Sequence, residues 1–305
     1  MLGNLHLMNS PKKLIVNADD YGACREVNAA IEQLMTARLL GGVSVLANGE
    51  QWEAAANFLR EQQAAGKEPC AARKDSSSAL HHSLSTTASV GIHFNAVEGF
   101  PVSTAPEVKL LTGADGKFVG LSALLKRWML RPLAIGRAIE IEWRAQIERL
   151  LQAGLKLTHA DSHQHLHAFP LAFHYAARLC RAYAIPALRW PHEHSGIPTR
   201  RAGAFALGAS LIAARAITPR TMLRHNDHFL GFKRVGAYGL EELITDLTRL
   251  PDGLTELALH PSMADGVPYD HLHGDRERRA LLDASFLDHL ARLQIQLTTW
   301  EAATA

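Results

Sequence analysis

The sequence has few cysteines, few aromatic residues, no long apolar run and no dominant charge, and each scarcity removes a class of protein. Its three cysteines, Cys24, Cys70 and Cys180, are odd in number and far apart in 305 residues. They form neither a disulfide framework nor a Cys-rich zinc site, so the expected location is the reducing cytoplasm. Lys and Arg number 32 against 30 Asp and Glu. With no basic block interleaved with aromatics, nucleic acid is not an expected partner. No run is long and apolar enough for a transmembrane segment, and the opening MLGNLHLMNSPKK lacks the apolar core of a signal peptide. The abundant chemistry-bearing residue is histidine, with 17 copies unevenly spread.

Short β-rich runs alternate with longer helical ones. KLIVNA, GGVSVLAN, ASVGIHF, LKLTHADSH, PALRW, TELALH and IQLTTW read as strands. Between them, CREVNAAIEQLMTARLL, EQWEAAANFLREQQAAG, IEIEWRAQIERLLQAG, PLAFHYAARLCRAYAI and ERRALLDASFLDHLARLQ carry apolar residues at helical spacing. The alternation predicts an α/β fold with a parallel sheet, in one domain over 1–305. A TIM-barrel-like (β/α) barrel, regular or irregular, is preferred to an open doubly wound sheet. Polar clusters follow at least four strands, and a barrel gathers those ends at one mouth. Two stretches interrupt the rhythm. Residues 67–89 are Ser-rich and read as a mobile surface loop, and residues 200–221 are Ala-rich and read as a helical insertion.

The strand ends supply a constellation. Asp19 and Asp20 follow the first strand and His93 the third; Asp161, His163, His165 and His167 close THADSHQHLH, and His260 follows TELAL. Carboxylates and imidazoles at several parallel-strand ends suit a metal site. Two adjacent carboxylates repel, and a cation offsets that; one can bind it while the other stays free as a base. Strand side chains alternate, so both can face one site only where the backbone turns. An Asp-Asp pair is commonly just a solvated turn or a helix cap, and Asp20 stands where it would cap the helix near Ala23. His163, His165 and His167 share one face if extended. His192, His194 and the HNDHF stretch read as cleft or rim residues, while His81 and His82 belong to the Ser-rich loop.

Taken together, LIVNADDYG, VGIHF, THADSHQHLH and TELALHPS, running in order from about Leu14 to Trp300, resemble the YdjC-like carbohydrate deacetylases. The resemblance implies a TIM-barrel-like fold and hydrolysis of the N-acetyl group of an amino sugar, oligosaccharide or glycolipid. It also implies one divalent metal ion, zinc or magnesium, held by Asp20, His93 and His163. Asp19 would be the general base and His260 the general acid. The chain departs from the commoner family pattern at Tyr21, Gln164 and Ser262, and its Ser-rich loop is long. The rival readings are a metal-dependent ester, cyclic amide or phosphoester hydrolase on the same barrel, and a non-catalytic metal- or sugar-binding protein. A homodimer is the default assembly. His165, His167 and Asp227 receive no role from the sequence.

Overall fold

Eight consecutive buried residues, LIVNADDY, fill β1 (Lys12–Tyr21), and a strand buried on both faces belongs inside a parallel sheet. The computed structural model, which describes residues 11–65, 84, 87–193 and 223–305, has β1 at that position. The elements that follow are α1 (Arg25–Thr36), β2 (Gly42–Val45), α2 (Trp52–Ala65), β3 (Ser89–Phe94), α3 (Leu121–Leu130), α4 (Pro132–Gln152), β4 (His159–Ser162), α5 (Pro170–Ala182) and β5 (Ala187–Leu188). Then come β6 (His228–Leu230), α6 (Leu240–Leu247), β7 (Gly253–Leu259), α7 (Gly274–Leu282), α8 (Ala284–Arg292), β8 (Ile295–Leu297) and α9 (Trp300–Thr304). Every strand pairing is parallel, as the alternation predicts. The Ala-rich stretch, and the Ser-rich stretch up to residue 86 except Leu84, lie outside the described residues. Among the described residues no helix is long and apolar enough to cross a membrane.

The sheet is barrel-like but open. Its strand path is β5-β4-β3-β2-β1-β7-β6. β7 takes one edge of β1 from Lys12 to Ala18, whereas β8 pairs only with Lys12–Leu14, on the edge that β2 takes from Asn17 onward. Between β5 and β6 the ladder is replaced by two isolated bridges, Ala187 with Arg224 and Glu193 with Phe229.

Alternation along β1 sorts its side chains. Leu14, Val16 and Ala18 enter the main apolar core, while Ile15 packs with Ala187 and Trp300 in the second cluster. Asn17 and Asp19 share the parity of Ile15, and their partners Ser44, His159 and Arg189 come from β2, β4 and the end of β5. The same face of β1 therefore turns from apolar to polar towards the strand's C-terminal end.

Two expected elements have different bounds, and α3 and β6 answer to none of the expected runs. The run 277–294 is two helices, because Asp283 is extended (φ −63°, ψ 130°) and its carboxylate accepts from Ser285 N at the start of α8. The last strand stops at Leu297, and Trp300 opens α9 instead of continuing the strand.

Candidate metal centre

Regular alternation would turn Asp20 away from Asp19. The register of β1 against β2 slips between Ala18 and Tyr21, and Asp20 adopts φ +62°. This bulge inserts one extra residue, so Asp20 faces inward beside Asp19. Tyr21 turns outward, where its hydroxyl donates to Glu32 of α1 at 3.0 Å. Gly22 (φ +102°) completes the turn. Asp20 caps nothing: the N-cap of α1 is Cys24, without a side-chain bond.

Asp20 Oδ1 lies 3.2 Å from His93 Nε2 and 2.9 Å from His163 Nδ1. Each ring has its other nitrogen facing a carboxylate. His93 Nδ1 is 2.7 Å from Asp161 Oδ1, and His163 Nε2 is 3.4 Å from Glu98 Oε2. Outer carboxylates of this kind fix the tautomer and present the inner lone pair to a metal. Gly91 supports the arrangement from β3, since a Cβ there would meet the His159 ring at 2.4 Å.

Below the cluster, Arg189 gathers buried carboxylates. Its NH1 and NH2 donate to the two oxygens of Asp19 at 2.7 Å each, NH2 also lies 2.6 Å from Asp161 Oδ2, and Nε donates to Glu256 at 2.9 Å. Asn17 Nδ2 adds a bond to Asp19 Oδ1, and Ser44 Oγ donates to Asp161 Oδ2.

The electrostatics follow from this geometry. Burial raises the Asp20 carboxyl, but His163 and His93 outweigh it and hold the group well below the usual carboxylate value. Burial pulls both rings down, yet Asp161 pushes His93 up to about 10 and Asp20 pushes His163 up to about 9. Burial pushes Glu256 up to about 7 in spite of Arg189, so this buried carboxyl titrates around neutral pH. A divalent cation would displace the protons that the His93 and His163 rings hold, leaving two neutral imidazoles and the Asp20 carboxylate turned towards it.

The donor set also fits such an ion. The candidate ligand atoms of Asp20, His93 and His163 lie within 4.8 Å of one another, and all three residues are buried. Asp20 Oδ2 is buried with no hydrogen-bond partner, an acceptor free for an ion. Ligands about 2.1 Å from a tetrahedral ion stand about 3.4 Å apart, close to the distances seen here. These three residues can hold one metal ion. A second set, Asp19, His93 and Asp161, also lies within reach of a common point, but Arg189 already bridges its two carboxylates.

The remaining sequence candidates divide. His260 joins Asp19, Asp20 and His163 in the wall of a cavity of about 400 Å³. Its Nδ1 is buried without a partner, and its backbone N donates to Glu277 at 2.7 Å. His163, His165 and His167 do not share a face. The chain leaves the strand after Ser162, and Gln164 and His165 take φ of +51° and +52°. His165 lines the cavity, whereas His167 is buried between Ser162 Oγ (2.6 Å) and the Arg189 carbonyl (3.1 Å). His192 is exposed, and His81, His82 and His194 lie outside the described residues. HNDHF is structural: Asn226 bridges to Trp190, and Asp227 accepts from Leu254 N. Among the described residues no tryptophan lines the cavity, whose aromatic walls are Phe232 and Tyr269.

The YdjC-like protein family matches residues 13–292. The chain belongs to that family. A carbohydrate deacetylase of Mus musculus is 30% identical over 84% of this chain and 80% of its own length. One of Brevibacillus brevis is 33% identical over 59% of each chain. The crystal structure of an Enterococcus faecalis V583 protein, described as a candidate cellobiose-phosphate cleavage protein, shares the fold with a TM-score of 0.72. It is 20% identical and covers 97% of this chain and 100% of its own. In this YdjC-like chain, sequence reasoning passed over Glu98, Arg189, Ser44 and Glu256. Each is a lone residue with no spacing pattern, and only the curl of the sheet brings it to the site.

Proposed function

We propose that the chain is a metal-dependent hydrolase that removes the N-acetyl group from an amino sugar, oligosaccharide or glycolipid. One observation carries this reading: Asp20 and His163 open on the same cavity as Asp19 and His260, a carboxylate and an imidazole outside the ligand set. A protein that only binds an ion has no use for either. The relatives named carbohydrate deacetylase supply the substrate class. The reading takes 1–305 as one domain.

Asp20, His93 and His163 would hold one divalent ion. Two imidazoles with a carboxylate suit zinc better than magnesium, which keeps an oxygen shell. When bound, the ion supplies Lewis acidity, polarising the amide carbonyl and making water more acidic. Asp19 takes the proton from the attacking water. Arg189 and Asn17 hold its orientation and occupy three acceptor positions, leaving a lone pair on Oδ2. Protonated His260 gives its proton to the nitrogen as the C–N bond breaks, so acetate and a free amine leave. Burial holds the His260 imidazolium below its usual value, which eases that release.

Acetate release from N-acetylated mono- and oligosaccharides, with zinc or magnesium supplied, tests the reading. Acetate appears only with metal if it holds. Turnover of esters or phosphoesters with no acetate from any N-acetylated sugar overturns it.

A further inference from the structure

The corner between α3 and α4 leaves three large apolar side chains in solvent: Met129 is 78% exposed, Leu130 82% and Leu133 78%. Their neighbours Trp128 and Ile135 are buried, so the exposure is confined to the tip. The other exposed large hydrophobics among the described residues, such as Phe100 and Met263, stand singly. A contiguous apolar patch of this kind marks an interaction surface.

The charge around it has one sign. From Gly116 to Ile139 the chain carries Lys117, Lys126, Arg127, Arg131 and Arg137, with no Asp or Glu. Lys117 sits over the Phe100 ring, and Arg127 donates to the carbonyls of Leu110 and Thr112. Lys126, Arg131 and Arg137 are exposed and make no ion pair among the described residues. Apolar side chains flanked by free cations complement an anionic bilayer surface, where the former enter the acyl boundary and the latter meet phosphate. A second copy of the chain fits worse, because a two-fold contact at the tip would set Arg131 against like charge.

We infer that the α3–α4 tip is a docking surface for an anionic lipid bilayer: Met129, Leu130 and Leu133 insert, and Lys126, Arg131 and Arg137 face the headgroups. α3 begins at Leu121, which lines the cavity, and its ten residues rise about 14 Å. Docking therefore holds the cavity within one short helix of the membrane. The inference rests on the surface alone and stands whatever the cavity hydrolyses.

Sedimentation of the full chain with phosphatidylcholine vesicles, with and without phosphatidylglycerol, tests it. The protein should pellet with the mixed vesicles, and salt should weaken that binding. Leu130→Glu with Leu133→Glu, and separately Lys126→Glu with Arg131→Glu, should each cut partitioning roughly tenfold. These side chains are exposed, so an unchanged urea midpoint confirms that the variants fold. No pelleting of the parent with anionic vesicles overturns the inference, as does equal pelleting of parent and variants. A concentration-dependent dimer that Leu130→Glu dissolves also overturns it, in favour of self-association.

Discussion

Asp20 holds φ +62° while buried, a left-handed conformation that costs a non-glycine residue of order 1–3 kcal/mol. What it gains is a second inward-facing carboxylate at the end of one strand. The pair then divides: Asp20 meets two imidazoles, and Asp19 is held by Arg189. Substitutions should separate the two roles. Asp20→Ala should lose the ion, measured by metal analysis after dialysis. Asp19→Asn should retain it and lower acetate release by roughly 10²–10⁴-fold, the usual share of one general base. Arg189→Met should leave Asp19, Asp161 and Glu256 without their shared cation. Breaking a buried pair in this way costs about 3–5 kcal/mol, readable in urea unfolding. At this scale the sequence is legible wherever chemistry is written in a cluster. NADD and DSHQHLH are conspicuous, and Asp19, Asp20, His93, His163 and His260 do converge. Arg189 is not legible, because it meets Asp19 across 170 residues of chain and nothing in PALRW marks it.

Among the elements, β1 shows how far periodicity reaches. Its apolar run identifies a buried strand, but the bulge that turns Asp20 inward appears only in the pairing with β2. The run 277–294 keeps helical spacing across Asp283, so periodicity alone reads one helix where a cap starts a second. Asp283→Ala removes the bonds from Ser285 N and Oγ, and thermal unfolding should register a lowered midpoint. The join between β7 and α7 is sensitive to pH. Glu277 is buried, and desolvation pushes it up to about 8 although the backbone N–H groups of His260, Tyr238 and Gly236 favour its charge. A carboxyl raised in the folded state binds its proton more tightly there than in the unfolded chain, where it titrates near 4.3. Its contribution to stability is therefore complete below about pH 4 and is lost as pH rises through about 8. The unfolding free energy of the parent, relative to Glu277→Gln, should fall steadily between pH 5 and pH 8 (roughly the span between the two values). A difference constant with pH would contradict this.

For the whole molecule, the sequence supports a parallel α/β barrel and leaves its closure unread. The barrel stays open: β7 lies beside β1, and only isolated bridges join the β5 and β6 ends. Strands of two and three residues, such as β5 and β6, carry too little pattern to be ordered from sequence. Asn226 fastens that seam: its Oδ1 accepts from Trp190 N, and its Nδ2 donates to the carbonyls of Trp190 and His228. Asn226→Ala removes the three hydrogen bonds that tie this seam together, and chemical denaturation should show a loss of about 3 kcal/mol. The architecture matters because it gathers residues from Asp19 to His260 around one point. Anomalous X-ray diffraction from crystals grown with zinc tests that convergence most directly. One strong peak about 2.0–2.2 Å from Asp20, His93 and His163 together is the predicted result. A zinc-saturated crystal with no peak there, or with those side chains directed at different ions, would contradict it.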